Sequence, residues 1–478
     1  MDLVERASVY GKRKRNRNGN RKGKLNLSGN GGFDDLSDDL LIRILSRVSV
    51  KEAARTSVLA HRWRYLWRFA NGTLRFRHWD TATGEIMERE QFESWVNTVV
   101  KLHQGRSIEG MVINFDTRAE EQEDQKQFSL STSCAVDNWV CFAMNKEVQR
   151  FEMKLEFRSI YPFPDLKMLV SSYSLGFSSP FYRLRSLRFV YVDIDDDVVN
   201  YFLASCPSLE DLHIYYSYFI KSIRVVDPPR LRVLYISNCF EFQNLEISAA
   251  SLVSLTVAGE ENNFVLKSVP NLSKLIIGDG ICISFVLQPK QHSTYSAQLE
   301  MLILDFRSLN RVYNIPIVAS PDLPQLCSLK RLKVLVHTEG RHSLLFFTSL
   351  VKASPQLREF RIEVEYSRYS NYMGDVEMPF PVISAANAVK FVHRNLKTVE
   401  IEGYVGCSTE EELLLELIKI GPSIERIAID TETDFYDEEP LGSRLHLKEI
   451  KSTTRDEAIE RARRFVSSFP KQIEAVVT

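Results

Sequence analysis

The side chains with a claim to chemistry in this 478-residue chain are few. His337 and His342 lie together in HTEGRH, but H-x-x-x-x-H does not set both rings on one helical face, and no third ligand is near in sequence, so no metal is assigned. Seven cysteines (134, 141, 206, 239, 282, 327, 407) are an odd number without a C-x-x-C pair, which reads as buried or free thiols in a reducing compartment. Glu438 and Glu439 sit in FYDEEP, where solvation of an acidic loop accounts for them. No G-x-S-x-G, H-E-x-x-H, P-loop or kinase set occurs, and GDGIC at 278–282 lacks both a G-x-x-G continuation and a following helix pattern. The expectation is a protein with no catalytic residue and no cofactor.

What remains is local charge and apolar pattern. The formal net charge of −1 gives no field that would draw in nucleic acid or an anionic membrane. Residues 12–24, KRKRNRNGNRKGK, carry eight Lys or Arg and no acid, so residues 1–32 are expected to be a disordered tail. Within it Lys12, Arg13, Lys14 and Arg15 read as a nuclear import signal, with a phosphate-binding tail as the alternative. No apolar leader and no run of 18 apolar residues is present, so the expected location is nucleus or cytoplasm, and the sequons at Asn26 and Asn71 are chance matches.

The elements follow from periodicity. In DDLLIRILSRV the apolar residues recur at helical spacing behind Ser37, whose hydroxyl can cap the helix, with Asp38 and Asp39 at its positive end. SVKEAARTSVL and AHRWRYLWRF give two more short helices, the last aligning Trp63, Leu66 and Trp67. From about residue 105 a different pattern takes over: apolar, two residues, apolar, one residue, apolar. It begins at Ile108, Val148, Leu184, Leu209, Leu231, Leu252, Leu272, Leu299, Leu329, Leu357, Leu396 and Ile424, at intervals of 20 to 30 residues between Leu184 and Leu357. Pro207, Pro270, Pro355 and Pro422 each stand two positions before such a start, marking the turn into a strand. DDVVNYFLAS, HSLLFFTSLVKA and TEEELLLELIKI read as the helices of full repeats; the repeats at 231, 252 and 272 are too short for one and are expected to return through loops or single turns. Stacked repeats would line these strands into one curved parallel sheet with helices on its convex side, an α/β solenoid.

Residues 33–68, and RTSVLAHRWRYLW above all, resemble an F-box, and the array behind makes the chain similar to plant-type F-box proteins with leucine-rich repeats. Residues 391–429 resemble the FBD region that ends many such chains. The organisation implied is a small all-α three-helix F-box at 33–79, a helical connector at 80–104, a leucine-rich-repeat solenoid at 105–390, FBD-like repeats at 391–450 and a cap at 451–478. Serines 37 and 49 stand where the family usually has prolines. The resemblance implies a non-catalytic subunit of a ubiquitin ligase: the F-box docks on a Skp1-type adaptor, and through it a cullin and a RING protein, while the repeats hold an unknown protein substrate. Leu36, Ser37, Leu40, Leu41, Ile44, Leu45, Val48, Val58, Trp63 and Trp67 are the positions it implies form or directly support the adaptor interface.

Strand alternation turns the residues flanking the inner apolar one toward the concave face. That selects Arg188, His213, Tyr215, Tyr235 and Ser237 early, and Arg361, Glu363, Glu400, Glu402 and Asp430 late, the late set suggesting a basic partner segment. A hormone-type small-molecule receptor is the alternative, but it needs a basic cluster on that face that these positions do not supply. A nucleic-acid scaffold working through the basic tail is the third reading.

Overall fold

A computed structural model of the chain describes residues 36–79, 86–115, 130–155, 161, 163–164, 181–239, 241–259, 263–307, 323–338, 343–366, 391–432 and 453–478. It divides into two compact units, residues 1–192 and 193–478. Lys12–Arg15, His342, Glu438 and Glu439 lie outside the described residues.

The first unit opens with three short helices, α1 (Asp38–Leu45), α2 (Val50–Arg55) and α3 (Trp63–Leu66), with single 3-10 turns at Thr56–Val58 and Trp67–Phe69. Both serines that replace the family prolines cap helices. Ser37 Oγ accepts from the Leu40 amide, and Ser49 forms a reciprocal box in which its Oγ accepts from the Glu52 amide while the Glu52 carboxylate accepts from the Ser49 amide at 3.0 Å. The Ser49 hydroxyl also donates to the Glu52 carboxylate at 2.8 Å, and this bond together with that from the Ser49 amide holds the Glu52 carboxyl below its usual pKa. Four parallel strands follow in sequence order: β1 (Thr73–Arg77), β2 (Gly110–Asn114), β3 (Arg150–Lys154) and β4 (Ser186–Val190). α4 (Arg89–Leu102) precedes β2 and α5 (Leu130–Asn145) precedes β3. The core between them is aromatic: Phe92, Phe115 and Trp139 are fully buried, with ring centroids 5.0–6.1 Å apart. β1 begins only two residues beyond Asn71, so the sheet opens earlier than the repeat pattern indicated; TLRFR alternates in the strand period, but no preceding leucine announces it.

Among the described residues of the second unit ten strands share one parallel sheet, β5 (Asp211–Tyr215), β7 (Val233–Ser237), β9 (Ser254–Gly259), β11 (Lys274–Asp279), β12 (Met301–Asp305), β13 (Arg331–Thr338), β14 (Glu359–Tyr366), β15 (Thr398–Glu402), β16 (Arg426–Asp430) and β17 (Glu474–Val477). Every one of the twelve apolar patterns from Ile108 to Ile424 leads into a strand, and neighbouring strands pair in register, as in Lys274↔Ser254 and Lys274↔Met301. The helices expected at 196–205, 342–353 and 409–420 are α6 (Asp196–Ser205), α9 (Phe346–Lys352) and α10 (Ser408–Ile420).

Two expectations are corrected. The short repeats do not return through loops: β6 (Ser222–Val226), β8 (Asn244–Ser248) and β10 (Asn263–Ser268) form a second, three-stranded parallel sheet where longer repeats carry helices. A five-residue strand rises about 17 Å and satisfies its backbone through its neighbours, which a connection of this length can do and a helix of comparable reach cannot. GDGIC does lead into a helix, α7 (Gly280–Leu287), followed by α8 (Pro289–Ser296). α7 is apolar all round and buried on all sides, which is why it lacks the amphipathic signature. α11 (Thr453–Val466) precedes the last strand.

Candidate docking sites

α1 divides its apolar stripe by one residue of phase. Leu41 and Leu45 are 0% and 2% exposed, whereas Leu40, Ile44 and Val48, displaced about 100° around the axis, are 44%, 39% and 40% exposed. The inner row packs with α3, whose Trp63 and Leu66 are buried together with Trp67, Val50 and Ala53. Arg62 ties α3 to the start of α1, donating to Asp38 Oδ1 at 2.7 Å and to the Leu36 carbonyl. The outer row is joined in exposure by Val58 and Leu59, each 69% exposed on the turn after α2. Of the ten positions implied for the adaptor, Leu40, Ile44, Val48 and Val58 present surface. Leu41, Leu45, Trp63 and Trp67 are interior supports, Ser37 is the cap and Leu36 is half-buried. Leu59 was not among them, although it stands next to Val58 in the same sequence pattern.

The helical unit is fastened to the first strand. Ser46 Oγ donates to Asn71 Oδ1 and accepts from the Asn71 amide, both at 2.9 Å, and a Cβ on Gly72 would lie 1.9 Å from the Ser46 carbonyl oxygen. The Arg68 carbonyl accepts from the Gln104 and Gly105 amides, and His103 Nε2 donates to the Ala70 carbonyl at 2.9 Å. Burial keeps the His103 imidazole below its ordinary pKa, hence neutral. Lys146 Nζ closes the joint on the Gly105 carbonyl.

The residues chosen for substrate contact divide in the same way. Arg188 is exposed, and His213 and Tyr215 are half-exposed. His213 stacks on Tyr235 at 5.5 Å, and Tyr235 and Ser237 are buried, Ser237 Oγ donating to Asn238 Oδ1. The late positions do not form an uncompensated acidic face. Glu363 pairs with Lys333 at 3.0 Å and Arg307 at 3.5 Å; Glu402, 1% exposed, lies between Arg361 and Lys333; Glu400 pairs with Arg361. Arg307 also binds Asp305 and Glu365. Burial pulls its guanidinium pKa down, and the bond and charge of Asp305 with the charges of Glu365 and Glu363 outweigh that and raise it. The carboxylates are thus largely answered within the sheet, and the suggested basic partner loses its footing. Asp430 accepts from the Glu432 amide and stays half-exposed. Lys333 obeyed the same strand rule as the chosen residues; Arg307 follows a strand end and carried no signal.

The family comparisons agree with these two parts. An F-box domain model matches residues 33–71, and a model described as At1g61320/AtMIF1, LRR domain matches residues 99–478. Three relatives from Arabidopsis thaliana illustrate the match: the F-box/FBD/LRR-repeat protein At1g13570 is 27% identical over 84% of this chain and 91% of its own length. The F-box/LRR-repeat protein At1g06630 is 22% identical over 83% and 98%, and the FBD-associated F-box protein At1g66310 is 22% identical over 83% and 89%. The short helical unit and the stack of parallel strands at leucine-rich-repeat spacing fall within these two matches, and the chain belongs to the plant F-box proteins with leucine-rich repeats.

Proposed function

We propose that this chain is the substrate-receptor subunit of a Skp1-cullin-F-box ubiquitin ligase. The observation that carries the reading is the outward row of Leu40, Ile44 and Val48 with Val58 and Leu59: five large aliphatic side chains held in water by a helical unit whose Leu41, Leu45, Val50, Trp63, Leu66 and Trp67 are buried. Such a ridge fits an apolar groove on an adaptor of the Skp1 type. The chain itself performs no bond chemistry in this reading. It raises the effective concentration of substrate lysines near a ubiquitin-loaded enzyme brought by the cullin and RING protein, and the fastened joint at Ser46, Asn71 and Gly72 keeps that geometry from averaging out. Entry into the nucleus through Lys12–Arg15 belongs to the same proposal; a fluorescent fusion should lose nuclear accumulation when the four are replaced by alanine. The central test is binding of the full chain to a purified Skp1-type adaptor by size-exclusion chromatography: a stable one-to-one complex is expected, and separate elution at micromolar concentrations would overturn the reading.

A further inference from the structure

The face of β1–β4 opposite the core tells a different story from its counterpart in the second unit. Alternation puts Leu74, Phe76, Met111, Ile113, Phe151, Met153, Leu187 and Phe189 inside. The registers then set the outward residues in rows: Arg75, Val112, Glu152 and Arg188 in one, Arg77, Asn114, Lys154 and Val190 in the next, with Arg150 beside Gly110 and Ser186 in the third. Five cations face one carboxylate. Arg75, Arg77, Arg150 and Arg188 are exposed and Lys154 is half-exposed, and none of the five is ion-paired within the described chain. In the second unit Arg307, Lys333 and Arg361 on the equivalent face are taken up by carboxylates, and among the described residues only the row at the strand starts, Lys274, Arg331 and Arg426, is left without an ion pair. Arg150 and Lys154 on β3 stand diagonal to Arg188 on β4, and like charges so placed repel and stabilise nothing in the fold. The Asn114 amide oxygen between Arg77 and Lys154 is likewise buried without a partner.

We propose that this face binds an anionic, extended peptide segment of the substrate, rich in carboxylates or bearing phosphorylated serine or threonine; the identity of the peptide as substrate rests on the ligase reading above. Four of the five cations are arginines, whose planar fork binds carboxylate or phosphate in two-point fashion. The four strands span about 14 Å at ~4.8 Å spacing, the length of a four- to five-residue extended segment. Nucleic acid is disfavoured by the absence of aromatic residues on the face: Phe76, Phe151 and Phe189 all point inward, leaving nothing for bases to stack on.

The test is fluorescence anisotropy with the full chain and no adaptor, using labelled octapeptides of Gly and Ser, the same with four glutamates, the same with two phosphoserines, and an eight-nucleotide uridine strand. Both anionic peptides should bind, weakening as NaCl rises, and the neutral peptide should not; the tighter of the two anionic peptides identifies the source of the charge. R75E/R77E/R188E should weaken binding by at least about tenfold, and the milder R75Q/R77Q/R188Q by less, while R463E/K471E, which changes charge far along the chain, should leave it unchanged. Equal binding of the neutral peptide, equal loss in the distant variant, or tighter binding of the uridine strand would overturn the assignment. Adaptor binding measured on the same preparations separates the two proposals. Peptide binding without adaptor binding removes the ligase and leaves the anionic site; the reverse leaves the ligase and removes the site.

Discussion

Leu40 and Leu41 are adjacent in sequence and opposite in role, which makes them a sharp test. Leu41→Ala removes a fully buried side chain and should cost the F-box helices about 2–5 kcal/mol through lost burial and the cavity left behind. Leu40→Asp touches a residue 44% exposed in the first turn of α1, where a negative charge suits the helix dipole, so the free protein should change by less than about 0.5 kcal/mol. Its effect falls on docking. Full burial of a leucine contributes about 1.5–3 kcal/mol, so covering the exposed part is worth about 1 kcal/mol, or roughly fivefold in affinity. An aspartate there must also lose its water against an apolar partner, which adds several kcal/mol and brings the loss beyond about a hundredfold. Calorimetric titration against a Skp1-type adaptor reads the affinity, and hydrogen exchange over residues 36–69 reads the fold. Leu40→Asp should abolish binding with native exchange; Leu41→Ala should weaken binding only with accelerated exchange. Wild-type affinity in the first, or lost affinity with native exchange in the second, would refute the division of the stripe.

Three further outcomes follow from other contacts. Gly72→Ala places a methyl 1.9 Å from the Ser46 carbonyl oxygen, so the backbone must shift, and exchange should rise selectively at Ser46, Asn71 and the start of β1. Lys333→Met removes a cation shared by Glu363 and Glu402 and should lower stability at pH 7 by about 3 kcal/mol in urea unfolding. His292, buried among Phe285, Tyr295 and Ser284, has its pKa lowered to about 4 by desolvation. The unfolded chain takes up its proton near pH 6.5 and the folded one does not, so its contribution is present above pH 6.5 and lost as pH falls toward 4, at most about 3 kcal/mol. His292→Gln should flatten that part of the stability profile.

The twelve strands were legible because each repeat has one requirement, two or three apolar residues at fixed offsets facing one core, and nothing distant alters it. The F-box helices were legible from capping serines and spacing for the same reason. The division of α1 was not, since periodicity defines one stripe while the packing of Trp63 and Trp67 decides which half is covered. The neutralised acidic face escaped because its partners are distant: Arg307 meets Glu363, and Lys333 meets Glu402. The second sheet was written in SIRVV and NLEIS as two-residue alternation, but alternation in five residues is weak against an expectation of loops.

That second sheet has a mechanical meaning. Between β5 and β11 the chain is laced by two ladders at once, β5-β7-β9-β11 along one side and β6-β8-β10 along the other. A repeat with a helix on one side can shear by rolling side chains over one another; a repeat laced on both sides yields only if two rows of backbone bonds rupture together. Under load the opening part of the second unit, from β5 to β11, is therefore the stiff splint and the helical repeats beyond β11 are where it gives.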